Sequence, residues 1–255
     1  MEIRVLGCSG GIGGPGRRTT ALLVDGDLLI DCGTGVGELS LEALQGIDHV
    51  FLTHSHLDHL ALLPMLLDSV AECRSRPIVI HGLPETLEAL RKHVFNGQIW
   101  PDYLLLPNPE HPVLRMQEIR VGEVLDLGGR IIEALPADHV VPALGYRLEG
   151  SRGSLVFSGD TAFAPALLEC LNCCENLIFL LLEVALPNEK NASLGASKHL
   201  SPNGLARMLS GLRRNPELYL THLKPAFEQS IGKELEQTSL AMGFQLLRQG
   251  QVFIV

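Results

Sequence analysis

Between Thr53 and His59 the chain reads Thr-His-Ser-His-Leu-Asp-His, three imidazoles and a carboxylate directly behind the apolar run Val50-Phe51-Leu52. Imidazole nitrogen and carboxylate oxygen are the donors that hold zinc and similar divalent ions. An ion held that way is a Lewis acid and lowers the pKa of a bound water. In an extended segment residues i and i+2 point to one side, so His54 and His56 can reach a single ion from the end of a strand. Asp58 and His59 fall where the chain turns into the helical spacing of Leu60, Leu63, Leu66 and Leu67, and so they face another direction. Donors on two faces suit two neighbouring ions better than one. An isolated pair of histidines is more often a surface feature that binds nothing, but H-x-H-x-D-H behind a buried strand reverses that expectation.

A two-ion centre needs further donors, and the places to look are the ends of other apolar strands. His139 follows the run from Ile131 to Leu135, Asp160 follows Leu155-Val156-Phe157 through Ser158-Gly159, and His222 follows Tyr219-Leu220-Thr221. Polar residues at strand ends are where sheets present ligands.

The elements that must position these residues form two sheets faced by helices. Strands are expected over Ile3 to Gly7, Thr20 to Asp25, Leu28 to Cys32, Val50 to Thr53 and Ile78 to His81, with a hairpin turn at Asp25-Gly26-Asp27. Further strands are expected over Ile119 to Leu127, Arg130 to Leu135, Leu144 to Leu148, Leu155 to Ser158, Ile178 to Val184, Tyr219 to Thr221 and Val252 to Val255. Helical patterns follow His59, Pro84, Ala162 and Pro202, the last capped by Ser201, and another runs from Glu228 to Arg248.

The candidate residues are scattered from Asp31 to His222 with no Gly/Ser linker or charge block between them, so residues 1–255 are read as one α/β domain. The 46% hydrophobic content is ample for a core, while apolar runs such as Leu177 to Leu182 are far too short to span a bilayer. The N-terminus reads as a strand and lacks the order of a signal peptide, which makes a cytoplasmic location the expectation. Cys170-x-x-Cys173-Cys174 has no second thiol pair nearby and is read as reduced, packed helix. Gly11 to Gly16 satisfies G-x-G-x-x-G, but Pro15 and the strand-like Thr19 to Val24 follow where a dinucleotide fingerprint must open a helix.

Together these residues resemble the metallo-β-lactamase superfamily: Leu29-Ile30-Asp31-Cys32-Gly33, the Thr53 to His59 motif, His139, Phe157-Ser158-Gly159-Asp160-Thr161 and Thr221-His222. Within it the chain looks like the class II cyclic-nucleotide phosphodiesterases. That narrower likeness rests on His93 to Pro101, Leu182 to Asn188, Lys198-His199-Leu200-Ser201-Pro202 and Thr221 to Pro225. Two departures touch the substrate: Ala61-Leu62-Leu63-Pro64 stands where that family has a small residue and a Ser-Pro pair, and Glu183-Val184-Ala185 replaces Glu-Cys-Ser.

The resemblance implies a four-layer αββα sandwich and two zinc ions, with manganese or iron as substitutes. It assigns His54, His56 and His139 to one ion, Asp58, His59 and His222 to the other, and Asp160 as the bridge. Asp31 would lie behind the metals and the glycine loop would border their cleft. The implied reaction is hydrolysis of a small 3′,5′-cyclic nucleotide, cyclic AMP first, to a 5′-nucleotide by a metal-bridging hydroxide, with catalytic roles for Asp58, which orients the nucleophile, and His199, which meets the leaving oxygen. Trp100 would offer a face to a purine. The partner is then a small phosphodiester, with no nucleic-acid polymer and no membrane, and pairing into a homodimer is common in the superfamily.

Ribonuclease Z, an alternative of the same fold, inserts a long arm between the third-motif histidine and the bridging aspartate. Here only 21 positions lead from His139 to Asp160, and the net charge is −9, whereas tRNA needs a positive surface. An iron-dependent oxidoreductase of the same fold is the alternative from another class, and a metal-stabilised nucleotide-binding protein is a third.

Overall fold

In the computed structural model, which describes residues 1–193 and 197–255, the chain forms two seven-stranded sheets. The first half of the chain gives β1 (Glu2–Gly7), β2 (Ala21–Val24), β3 (Leu28–Ile30), β4 (His49–Phe51), β5 (Ile78–Gly82) and β6 (Leu114–Glu118). The second gives β7 (Val124–Asp126), β8 (Ile131–Pro136), β9 (Leu144–Glu149), β10 (Ser154–Phe157), β11 (Leu177–Glu183), β12 (Glu217–Thr221), β13 (Phe244–Leu246) and β14 (Val252–Ile254). Sheet 1 has the order β14-β1-β2-β3-β4-β5-β6 and sheet 2 the order β13-β12-β11-β10-β9-β8-β7.

Burial follows from this layering. Ile3, Val5, Phe51, Tyr146, Leu181 and Phe253 belong to one apolar cluster between the sheets. A second cluster joins sheet 1 to α1 (Leu41–Gln45), α2 (Leu57–Leu60), α3 (Leu63–Val70) and α4 (Pro84–His93). A third joins sheet 2 to α5 (Pro165–Cys173), α7 (Pro202–Gly211) and α8 (Glu228–Gln237), while α6 spans Asn188–Ser193. Strands covered on both faces, such as β3 and β10, are buried along their whole length, as strands between a helical layer and the other sheet must be. Each large side chain fully buried in these clusters contributes about 1.5–3 kcal/mol. The architecture is the expected αββα sandwich.

Strands β3 to β6 run parallel, as do β10 to β13. Open parallel sheets bind ligands outside the carboxyl ends of their strands, and β4, β10, β11 and β12 all end beside the candidate residues. Gly159 makes the turn after β10 with φ 59, and a Cβ there would stand 2.4 Å from the Leu144 carbonyl oxygen. Only glycine fits so close an approach at positive φ, and Asp160 follows it directly.

Two expected elements differ. The strand expected over Ile119 to Leu127 is a crossover: β6 ends sheet 1 at Glu118, a turn with Gly122 at positive φ follows, and β7 begins the edge of sheet 2. The helix expected from Glu228 to Arg248 stops at Gln237, and β13 pairs in parallel with β12. A free sheet edge outweighs helix propensity there, because the pairing satisfies backbone groups along the edge of β12. The hairpin at Asp25 to Asp27 forms as expected, with Asp27 N–H donating to Val24 O. No helix among the described residues is long and apolar enough to cross a membrane.

Candidate metal centre

Strand β4 ends at Phe51, and Thr53 to His56 carry the chain to the start of α2, with His56 at its N-cap. The donors separate as the sequence spacing requires. His54 Nε2 lies 3.0 Å from His56 Nδ1, which is 3.2 Å from His139 Nε2. One turn on, His222 Nε2 lies 3.2 Å from both His59 Nε2 and Asp58 Oδ2.

Asp160 joins the two groups. Its Oδ2 is 3.8 Å from His54 Nε2 and 3.9 Å from His139 Nε2, while its Oδ1 is 3.3 Å from His59 Nε2 and 3.4 Å from His222 Nε2. The result is two donor sets sharing one carboxylate, His54/His56/His139/Asp160 and Asp58/His59/Asp160/His222, with the ligating atoms of each within 4.8 Å of one another. All seven residues expected to hold metal are thus brought together.

The donor chemistry fits divalent ions. Asp160 is 2% exposed, and its Oδ1 has no hydrogen-bond partner despite the close imidazoles, because those contacts lack hydrogen-bond alignment. A buried carboxylate oxygen without a partner is costly unless a cation meets it. Imidazole nitrogens that converge at 3.0–3.2 Å likewise share a cation more readily than a proton. Nitrogen and oxygen donors of this kind suit zinc, with manganese and iron close behind.

Outer contacts fix the ring orientations, as metal-binding histidines require. Asp31, fully buried, approaches His59 Nδ1 at 2.7 Å through Oδ2 and accepts from Thr53 N through Oδ1 at 2.8 Å. Thr53 Oγ1 also lies 3.0 Å from His54 Nδ1. His139 Nδ1 meets the Lys198 carbonyl oxygen at 3.1 Å. Each of these rings therefore turns Nε2 toward the centre.

The electrostatics agree. Burial, reinforced by His59, holds His54 well below the ordinary histidine value and so keeps its lone pair free. Burial acts the same way on His59, but Asp160 and Asp31 outweigh it and raise that ring well above its ordinary value. The field that favours a proton on His59 also favours a cation. Asp58 is lowered: burial would raise it, but the hydrogen bond to His222 and the charge of His59 prevail.

His199 stands beside this centre, its Nδ1 2.7 Å from Glu183 Oε1 and 3.9 Å from Asp160 Oδ2, with its ring stacked on His222. Burial pulls His199 down, yet the charge and hydrogen bond of Glu183 leave it raised. Glu183 was absent from the residues expected in the site. It is fully buried at the end of β11, where its two oxygens accept from Thr161 N and Ala185 N at 3.0 Å each. Its signal was available: an acid closing the wholly apolar run Leu177 to Leu182, just as Asp160 follows Phe157.

Gly10, just before the glycine loop, lies against the centre, for a Cβ there would stand 2.3 Å from the His222 carbonyl oxygen, whereas a Cβ on Gly11 or Gly13 would meet Pro225 first. Trp100 is half-buried and packs against the apolar cluster between sheet 1 and its helices. His49 and His81 form a separate pair on β4 and β5, with Nδ1 and Nε2 3.0 Å apart. Cys170 and Cys173 lie on α5, with Cys174 as its cap.

A family model described as a beta-lactamase superfamily domain matches residues 27–223. Among curated proteins, ribonuclease BN of Cronobacter sakazakii is 32% identical over 160 residues, covering 58% of this chain and 49% of that protein. Ribonuclease BN of Escherichia coli O139:H28 is equally similar, with 50% of its length covered. The chain spans about half the length of the curated relatives it matches. Among solved structures, unliganded yeast PDE1 superimposes with a TM-score of 0.80 at 21% identity, covering 100% of this chain and 99% of that one. The metallo-beta-lactamase fold protein YhfI from Bacillus subtilis gives 0.76 at 20%, with 99% of each chain covered, and the short form of human tRNase Z gives 0.70 at 19%, covering 100% and 99%. The structures share the fold, and the family model covers most of the sequence: the chain belongs to the beta-lactamase superfamily, as a metallo-β-lactamase-fold protein with the paired donor sets of a metal-dependent hydrolase.

Proposed function

We propose that this protein is a binuclear-metal phosphodiesterase of the ribonuclease Z type, cleaving a phosphodiester in a nucleic acid. The observation that carries the reading is the Asp160 carboxylate shared by two donor sets, with the buried Glu183–His199 pair next to it. The 32% identity to ribonuclease BN supports the choice of substrate class and reopens the nucleic-acid substrate that charge and spacing argued against.

In this reading His54, His56 and His139 hold one ion, Asp58, His59 and His222 the other, and Asp160 both. Bound there, two divalent ions supply Lewis acidity to the phosphoryl oxygens and make water a nucleophile at neutral pH. Asp58, one third exposed and ionised, accepts a hydrogen bond from the attacking water and orients it. His199 has Nδ1 committed to Glu183, so Nε2 is the atom that gives a proton to the leaving oxygen. Because Thr161 N and Ala185 N fix the Glu183 carboxylate, the ring has one orientation available for that transfer.

A second reading, hydrolysis of 3′,5′-cyclic nucleotides, is favoured by the path from His139 to Asp160. β9 and β10 fill that interval as an antiparallel pair, which leaves no long arm to grip a polymer. Zinc-loaded protein offered an RNA with a 3′ extension, 3′,5′-cyclic AMP and bis(p-nitrophenyl) phosphate distinguishes the two. Endonucleolytic products from the RNA, lost in Asp160→Ala and in chelated protein, support the first reading. Release of 5′-AMP with intact RNA overturns it in favour of the second, and inertness toward all three overturns both.

A further inference from the structure

Among the described residues, four other than glycine have a backbone in the left-handed region: Asp25 (φ 46), Asp31 (φ 59), Lys198 (φ 47) and His222 (φ 61). That region crowds Cβ against the next carbonyl oxygen, and aspartate and histidine enter it more readily than most residues. Asp25 turns the hairpin between β2 and β3, Asp31 stands behind His59, and His222 is itself a donor. Lys198 is the exception, because its residue type has no bias toward this conformation. A strained residue persists only where its surroundings hold it, and such residues gather at functional sites.

The surroundings of Lys198 are the two donor sets. Its carbonyl oxygen lies 3.1 Å from His139 Nδ1. A carbonyl can only accept, so that nitrogen carries the proton and Nε2 keeps its lone pair for the centre. The same peptide group leads into His199, whose Nδ1 is 2.7 Å from Glu183 Oε1 and whose ring stacks on His222. The His139 and His199 rings lie with centroids 5.0 Å apart. A rotation of this one peptide would move the support of a ligand in the first set and a ring that rests on a ligand of the second.

The lysine side chain contributes less. Nζ meets Asp138 Oδ1 at 2.8 Å, but the two side chains are 45% and 47% exposed, and an exposed pair adds little. Asp138 is held without it, since its N–H donates to Thr161 Oγ1 at 3.0 Å and its carbonyl accepts from Ala162 N at 2.8 Å. The backbone of Lys198, rather than its ammonium, is what touches the site.

We propose that Lys198 is a positioning residue: its left-handed backbone fixes the Nδ1–H form of His139 and the place of His199 together, so that one peptide sets both a metal ligand and the proton donor beside it. The donor role of His199 rests on the phosphodiesterase reading, whereas the coupling of the two rings does not.

Two-bond proton–nitrogen correlation spectra of histidine-labelled, metal-free protein report the tautomer of each ring and need neither ion nor substrate. They are recorded at about pH 8, where imidazole is neutral. Inertness toward every phosphodiester would therefore defeat the assigned reaction and leave the role of Lys198 to these spectra. His139 of the parent should be the Nδ1–H form. Lys198→Val, a β-branched residue that positive φ excludes, should lower that share at least about threefold and shift the His199 resonances with it. Lys198→Gly, which adopts positive φ freely, should match the parent at both rings. An Nε2–H form of His139 in the parent would overturn the proposal. So would an unchanged spectrum in folded Lys198→Val, a change confined to one of the two rings, or a Lys198→Gly spectrum that resembles that of Lys198→Val.

Discussion

Sheet 1 gives the site four donors from one six-residue stretch, His54, His56, Asp58 and His59, all at the end of β4. Sheet 2 gives it single groups from separate connections: His139 after β8, Asp160 after β10, Glu183 on β11, His199 before α7 and His222 after β12. On the first side one turn and one anchor, Asp31, hold the geometry. On the second it depends on the parallel register of β10, β11 and β12, which pairs Phe157 with Leu181 and Glu183 with Thr221. Damage to the first side should therefore spread through several donors, whereas damage to the second should stay with the residue changed.

Asp160 is where the two sides meet, and its loss should have the largest effect. Asp160→Ala removes an oxygen from each donor set, and its cost should exceed the roughly 10–100-fold that residues behind metal ligands command. Metal analysis should show that both ions bind more weakly, together with loss of phosphodiester hydrolysis. Retention of both ions at parental affinity would show that Asp160 is not shared.

The buried carboxylates behind each side sharpen the contrast. Asp31→Asn puts an amide NH2 where Oδ2 meets His59 Nδ1, although its Oδ1 still accepts from Thr53 N, so metal affinity should fall about 10–100-fold. Glu183→Gln leaves every donor in place but weakens the hold on His199 Nδ1. Metal content should then be unchanged while kcat falls about 10–100-fold, the smaller part of what general acid catalysis provides. If Glu183→Gln also sheds metal, the second side is as interdependent as the first.

The same division explains what the sequence disclosed. The sheet 1 donors were legible because their geometry is local: i, i+2 spacing on an extended segment followed by a helical turn is written in adjacent residues. His139, Asp160 and His222 were found as polar residues closing apolar runs, although which donor set each joins depends on strand order, which spacing does not encode. Glu183 is legible as an acid closing an apolar run, but its role as the partner of His199 exists only once β11 lies beside β10 and His199 is brought over it. The helical reading of Glu228 to Arg248 failed for a related reason, since a short segment such as Phe244 to Leu246 takes its conformation from the open edge of β12. Likewise the apolar spacing from Ile119 to Leu127 concealed a change of sheet.

Away from the site, sheet 1 buries His81 against Phe51, with rings stacked at 4.1 Å, and beside His49. Burial first, then the neighbouring His49, pushes His81 down to about 4. Between that value and the ordinary 6.5 the unfolded chain binds the proton that the folded chain refuses, so stability rises with pH across this window and is lost as pH falls through it. The full shift corresponds to about 3 kcal/mol. Urea unfolding of chelated protein from pH 7 to pH 4 should show the loss, and His81→Phe should flatten it. An unchanged slope in that variant would assign the acid sensitivity to other groups.

The smallest effect concerns helix caps, one on each side. Ser201 Oγ accepts from Gly204 N at 3.4 Å at the start of α7, and Ser40 Oγ accepts from Ala43 N at 3.2 Å at the start of α1. By distance alone Ser40 makes the better cap. Packing argues the other way: α7 buries Leu205, Met208 and Leu209 on sheet 2 and follows His199 directly, whereas α1 buries no residue completely. Fraying of α7 exposes core, and fraying of α1 exposes little. Ser201→Ala should therefore cost about 1 kcal/mol in urea unfolding, and Ser40→Ala about 0.5 kcal/mol or less. The reverse order would mean that the hydrogen bond itself, rather than the packing it anchors, sets the cost of losing a cap in this fold.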